Sequence, residues 1–320
     1  MKNASPTQPM GDAAVRLSRL RLFLALSRTL HGSLDMAAPL MAALLWLGGL
    51  PEPRVALLGA GTLFAGYTAV YALNDLIGRR LDRDKLQQQQ QNSSDGTYLD
   101  SALMRRPLAQ EALSRKEALI WTVAWFLLAI AGAWILNPIC VAIFLGAGSL
   151  EALYCLLVRV SPLRALVNGA VKTAGPMAAV LAVDPHPSLF FLALLFCSIF
   201  LWEVGGQNIP ADWSDLETDR SLGAKTIPVA LGIRPAAAIS LVSLLLASIL
   251  TLILFTVSPL SFSWWHLLPL AGAAVYCLLV PGVRLVLGLS SKDSVLLFNR
   301  ASFWPLCLLL VALLGIFTRI

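Results

Sequence analysis

Charge is what this chain has least of. Only 13% of its 320 residues are Asp, Glu, Lys or Arg, while 58% are hydrophobic and the mean hydropathy is +0.75. A soluble domain averages about a quarter charged. A surface this poor in charge cannot face water all round, so the chain reads as an integral membrane protein. The three histidines, His31, His186 and His266, are scattered and give no zinc-site pattern. The five cysteines (Cys140, Cys155, Cys197, Cys277, Cys307) sit singly in apolar runs. Without metal-ligand spacing or an obvious partner, they read as small buried residues rather than disulfides. No P-loop, dinucleotide fingerprint or Ser-His-Asp set is present, and nothing in the loops suits base readout, so no nucleic-acid partner is expected. The apolar stretches are continuous rather than alternating, which excludes a β-barrel. Residues 1–15 are polar and lack the apolar h-region of a signal peptide.

What is abundant is the apolar run of about 20 residues that a membrane-spanning helix requires. Nine occur, at about 33–50, 55–77, 117–136, 138–158, 164–183, 187–209, 235–257, 264–287 and 300–317. The expected fold is therefore an all-α integral membrane bundle of nine transmembrane helices. With a cytoplasmic N-terminus, 21 of the 24 Lys and Arg fall at inner segments; Arg54 and Arg319 lie outside and Lys172 lies within a span. The positive-inside rule then predicts N-terminus in and C-terminus out, in the cytoplasmic membrane of a bacterium. Residues 1–32 read as a cytoplasmic arm ending in an interfacial helix, "RLSRLRLFLALSRTLHG", with Leu17, Leu20 and Leu24 on one side and Arg16, Arg19 and Arg28 interleaved. Residues 33–320 form one membrane domain with long inner loops at 79–116 and 210–234. The tract "QQQQQNSSDG" in the first loop reads as a mobile low-complexity insertion.

Acids gather at two places only. In "NDLIGRRLDRDK", Asp75 and Asp82 are seven residues apart and share a helix face about 10 Å apart along the axis. In "NIPADWSDLETDRSLGAKTIPVALG", Asp212, Asp215 and Asp219 are spaced i, i+3, i+7. Both clusters follow an even-numbered span and so lie on one side of the membrane. Carboxylates at a bilayer edge need neutralising. Mg²⁺ does this through oxygen ligands shared with a substrate phosphate, and a diphosphate so held becomes a good leaving group. Arg and Lys nearby can clamp the remaining oxygens, and the apolar bundle can house a lipid tail. The residues thus point to a lipid diphosphate site at the inner surface, against the plainer reading of solvated loop charge.

These motifs resemble those of the UbiA superfamily of intramembrane prenyltransferases. The first family motif, N-D-x-x-D-x-x-x-D followed by R-P-L, is matched by Asn74, Asp75, Gly78 and Asp82, then Arg106, Pro107 and Leu108. The second, D-x-x-x-D with G-x-K-T, is matched by Asp215 and Asp219, then Gly223, Lys225 and Thr226. Two departures stand out. Gly78 replaces an Asp, with Asp84 as the nearest substitute, and the loop between Asp82 and Arg106 is long. The resemblance implies a UbiA-like bundle with a cytoplasmic-side active site that transfers a polyprenyl group from its diphosphate. The acceptor would be lipophilic: an aromatic quinone precursor, or alternatively a glycerol ether or a phospho-sugar. A non-catalytic lipid-binding or transport protein of the same fold is a further alternative. Asn74, Asp75 and Asp82 would bind a first Mg²⁺ and the diphosphate, Asp215, Asp219 and Asp212 a second. Asp75, Asp82, Asp215 and Asp219 would carry catalysis, and Arg106 and Lys225 would contact phosphate oxygens. Two further residues are substrate-binding candidates. Lys172, an intramembrane cation, faces the diphosphate or an acidic acceptor, or else pairs with Glu151 or Glu203 or snorkels. Glu203 orients an acceptor hydroxyl, or is a paired acid beside Gly205 and Gly206. Arg159 and Arg164 read first as positive-inside anchors. The oligomeric state does not follow from the sequence.

Overall fold

The structure is a computed structural model that describes residues 19–89, 104 and 106–318. Among the described residues there is helix and no strand, and nine helical segments are long and apolar enough to cross a membrane. Residues 1–18, 90–103, 105 and 319–320 lie outside the described residues, and with them most of the low-complexity insertion and of the N-terminal arm.

The helices in chain order begin with α1 (Arg19–Leu26), α2 (Thr29–Asp35) and α3 (Ala37–Leu47). The first span, Thr29–Leu47, is α2 and α3 joined with a break at Met36, and it starts earlier than the apolar count suggests. Next comes α4 (Pro53–Gln89), whose 37 residues extend about 55 Å. That exceeds the roughly 30 Å hydrocarbon thickness. The segment 79–89 expected to open a loop is instead the projecting end of α4, and it carries Asp82 and Lys85. Residue Ser114 starts α5 (Arg115–Leu136) with a capping box closed by Glu117. Asn137 ends α5 and accepts the Ile139 N–H to start α6 (Pro138–Leu156), giving a one-residue hairpin. Then follows α7 (Arg164–Val183).

The sixth span runs from α8 (Leu189–Trp202) through a π-helical segment, Glu203–Asn208, into α9 (Ile209–Ser214). Its cause is local. Pro210 has no N–H to offer the carbonyl of Gly206, and the loosened turn takes the wider π form. Gly205 and Gly206 let neighbours in: a Cβ at Gly205 would lie 2.8 Å from the Ser240 carbonyl oxygen, and one at Gly206 3.0 Å from the Ala301 Cβ. The expected loop 210–234 is largely helical, with α10 (Leu216–Ser221) and α11 (Ile227–Leu231) after α9. The remaining helices are α12 (Ile233–Thr256), α13 (Trp264–Ala274), α14 (Val280–Gly288), α15 (Ser291–Ala301) and α16 (Trp304–Phe317). The last span is α15 plus α16, again starting earlier than expected.

α3 packs on both α7 and α16, closing the bundle into a ring. A continuous core joins α3 to α8–α16 through Leu45, Trp202, Leu244, Phe255 and Trp304. The outer surface is lined with exposed Leu57, Ile120, Trp134, Phe190 and Leu287, as a lipid-facing belt must be. α1 docks by Leu22 and Leu26, not by Leu20, onto Ala72, Leu108 and Leu113. This docking turns the end of α1 toward the acidic end of α4. The cysteines are all free, and Cys197 is exposed on the outer surface rather than buried.

Candidate active site

Both acidic motifs come to one end of the bundle, and a single side chain proves their proximity. Arg106 Nε lies 3.0 Å from Asp82 Oδ1 while its Nη2 lies 3.6 Å from Asp215 Oδ2. The backbone of Arg106 sits at φ +59 and that of Arg28 at φ +44. Such left-handed non-glycine residues cost of order 1–3 kcal/mol each and concentrate at functional sites. Arg28 donates to Asp75 Oδ1 at 3.1 Å and to Asn74 Oδ1 at 3.3 Å, so it belongs to the site rather than to an interfacial face.

Asp212, Asp215 and Asp219 do not ride one helix. Asp215 is the junction between α9 and α10, yet all three carboxylates are buried. Lys85 Nζ reaches across from α4, 3.1 Å from Asp215 Oδ2 and 2.5 Å from Asp219 Oδ1. Burial holds the Asp219 carboxyl above the usual carboxylate range despite the pull of Lys85. Arg164 Nη1 lies 3.5 Å from Asp212 Oδ1, with its guanidinium 4.2 Å from the Tyr154 ring centroid, so Arg164 is a site residue rather than only an anchor. Asp84 does not stand in for the missing acid at position 78: it turns outward to Arg159, 3.6 Å away. Lys225 is exposed and makes no ion pair among the described residues. What holds its loop is its N–H, donated to the Val158 carbonyl at 2.7 Å.

Below this mouth lies a cavity of about 260 Å³ between α2, α3, α4, α5, α6 and α7. It reaches from Asn74 and Ala211 at the acids to Val55 near the far end of α4. That is about 28 Å along the helix axis, close to a membrane's hydrocarbon depth. Its walls are mainly apolar, with Leu40, Leu63, Val70, Ile143 and Phe144 among them.

Polar groups cluster where the chamber meets the mouth. Lys172 pairs with Asp35 and donates to the Tyr71 hydroxyl at 2.6 Å, and that hydroxyl donates to Asp35. Sequence reasoning offered Glu151 and Glu203 as partners for Lys172 and missed Asp35. Glu151 accepts instead from Asn74. Glu203 Oε1 accepts from Asn168 at 3.0 Å and from Asn208 at 2.9 Å, while its Oε2, buried against the cavity, has no hydrogen-bond partner among the described residues.

The donor set suits a hard divalent ion that arrives with phosphate. Among the described residues no three His, Cys, Asp or Glu side chains gather closely enough to cage a metal by themselves. Mg²⁺ does not need that, since it keeps waters and takes one or two carboxylates plus phosphate oxygens. Among the described residues three buried atoms at the mouth also lack hydrogen-bond partners: Arg106 Nη1, Arg164 Nε and Asp219 Oδ2. Two are donors suited to phosphate oxygens and one is an acceptor suited to a cation.

Known proteins share this fold. A digeranylgeranylglyceryl phosphate synthase of Methanoregula boonei is 30% identical over 197 residues, 57% of this chain and 64% of that protein, just under two thirds of its length. The apo structure of a UbiA homologue from Aeropyrum pernix K1 is similar with a TM-score of 0.70 at 22% identity, covering 89% of this chain and 97% of that one. A UbiA homologue from Archaeoglobus fulgidus, bound to DMAPP and Mg²⁺, is similar with a TM-score of 0.64 at 18% identity, covering 92% of this chain and 99% of that one. These relatives are archaeal and lend no support to a bacterial source. Residues 36–306 match the UbiA prenyltransferase family. With nine spans, two convergent acid motifs and that match over most of its length, the chain belongs to the UbiA prenyltransferase family.

Proposed function

We propose that this prenyltransferase moves an isoprenoid group from its diphosphate to the hydroxyl of a glyceryl phosphate lipid. The observation that carries the reading is Arg106, which ties both acid motifs together at the mouth of a deep apolar chamber. The name of the Methanoregula boonei relative supports a glyceryl phosphate acceptor in place of the aromatic quinone precursor expected above. The chamber holds the isoprenoid tail, and the mouth holds the diphosphate. We take the mouth to face the cytoplasm, on the distribution of Lys and Arg.

Asn74, Asp75 and Asp82 on one side, and Asp212, Asp215 and Asp219 on the other, are the residues that would hold Mg²⁺, in line with the Mg²⁺ bound in the Archaeoglobus fulgidus homologue. When bound, the ion offsets negative charge on the departing diphosphate. Arg106 Nη1 and Arg164 Nε donate to phosphate oxygens. The bond between the allylic carbon and the diphosphate oxygen breaks, and a bond forms from that carbon to the acceptor oxygen. Glu203 Oε2 accepts the hydroxyl proton, with Asn168 and Asn208 orienting the carboxylate. Lys172, held by Asp35 and Tyr71, fixes the acceptor end of the chamber. The apolar walls keep water from the electron-poor carbon.

The test is purified protein in detergent with Mg²⁺, geranylgeranyl diphosphate, and a panel of geranylgeranylglyceryl phosphate and aromatic acids, read by mass spectrometry. A prenylated glyceryl phosphate is expected. Product on the aromatic acids alone would refute the acceptor, and no product with any acceptor would refute the reading.

A further inference from the structure

Lys85 takes the place that a divalent ion would need at the second motif. Its Nζ sits between Asp215 Oδ2 at 3.1 Å and Asp219 Oδ1 at 2.5 Å, the two carboxylates of the second motif. Lys85 is 7% exposed and Asp219 is 0% exposed, so neither has water to fall back on. An ion bridging the same two oxygens would need them at about 2.0–2.1 Å. It would then share their space with a buried ammonium. A divalent ion and an ammonium held that close repel even with protein-like screening.

The first motif is arranged differently. Asp75 is paired with Arg28, whose side chain is 31% exposed and hangs from the short link between α1 and α2. That partner can swing aside, whereas Lys85 is buried within the mouth. Gly78 fits the same pattern. It lies on the ridge of α4 seven residues before Lys85. A Cβ there would meet only Asp82 Oδ2, at an ordinary 3.4 Å, so packing does not demand the glycine. One carboxylate fewer at position 78, together with a monovalent ammonium in place of a divalent ion, leaves the net charge of the mouth unchanged.

We infer that Lys85 is a built-in counter-cation that fills the second motif in place of a divalent ion. The protein then binds one Mg²⁺ per prenyl diphosphate, at Asp75 and Asp82. This rests on the proposed function and changes its metal count. Among the described residues Arg164 pairs with Asp212, and Arg106 is shared by Asp82 and Asp215, so Lys85 is the group that sets the count.

The test uses Mn²⁺, which favours the same oxygen ligands as Mg²⁺ and is visible by electron paramagnetic resonance. Full-length protein in detergent is titrated with Mn²⁺ in the presence of geranylgeranyl S-thiolodiphosphate, which binds without ionising readily. The wild type is expected to bind one ion per chain, Lys85→Gln two, and Lys85→Arg one. Adding Gly78→Asp to Lys85→Gln should tighten the second ion further. Two ions in the wild type would overturn the inference without touching the prenyl-transfer reading, and the wild-type count stands even where a variant does not fold. One ion in a folded Lys85→Gln would overturn it as well. No ion in any form would overturn both this inference and the reading beneath it.

Discussion

Around the chamber, α4 and α5 present small side chains and open space, with Gly59, Ala60, Gly66, Ala129 and Ala133 along its walls. Across the bundle, α8, α12 and α16 present Trp202, Leu254, Phe255 and Trp304, each at 2% exposure or less. The same membrane surrounds both, so the difference is one of purpose. A helix that lines a substrate chamber gives up close packing on that face. Its partners elsewhere must supply the dispersion contacts that hold the bundle. Substitutions on the chamber side should therefore read out in catalysis, and those in the packed half in stability.

The sharpest probe is at the mouth. Asp75→Asn and Asp82→Asn remove charge from residues that would hold the ion while keeping shape, and each should lower turnover by about 10²–10³-fold, the scale for losing one electrostatic contact to a developing charge. The melting temperature should change little; a collapse of the fold with either variant would show the acids to be structural. In the packed half, Trp202→Ala empties a fully buried site and frees the Ala301 carbonyl that accepts its indole N–H at 2.9 Å. The expected loss is about 3–5 kcal/mol of stability, seen as a fall in detergent melting temperature, with kcat/KM per folded molecule preserved. Lys172→Met strands Asp35 without its cation, at a cost of about 3–5 kcal/mol. The double variant Lys172→Met with Asp35→Asn should recover most of that stability but not activity. A double-mutant cycle separates the two effects. The mildest probe is Gly59→Leu. Nothing lies within 4 Å of a Cβ there, and the position is about 22 Å along α4 from Asn74. Shortening the chamber should shift preference toward shorter prenyl diphosphates by about tenfold, equal to about 1.4 kcal/mol, with stability unchanged. An unaltered chain-length profile would mean the tail lies elsewhere.

Much of this could be read from the chain. All nine spans were visible, because a run of about 20 apolar residues is a sufficient condition written locally. The acid motifs were visible for the same reason, as spacing along one segment. What escaped were pairings between distant segments. Lys85 and Asp215 are separated by 130 positions, and Lys172 and Asp35 by 137, distances over which no periodicity runs. An intramembrane lysine announces that an acid exists. It does not choose among Asp35, Glu151 and Glu203, and Asp35 sat at the edge of a span counted too short. Lys85 could have been noticed: three residues after Asp82 on a helix, it had to share the acids' side of α4. The π turn at Glu203–Asn208 could also have been suspected from Pro210 and the Gly205–Gly206 pair, which together weaken one turn of an otherwise regular span.

Since Arg106 already bridges Asp82 and Asp215, a diphosphate does not enter a vacant electrostatic trap. It takes up the remaining Nη1 of a guanidinium whose direction Asp82 and Asp215 have already fixed through Nε and Nη2. Recognition here thus starts from a donor set in place before the ligand arrives, so little side-chain freedom is lost on binding.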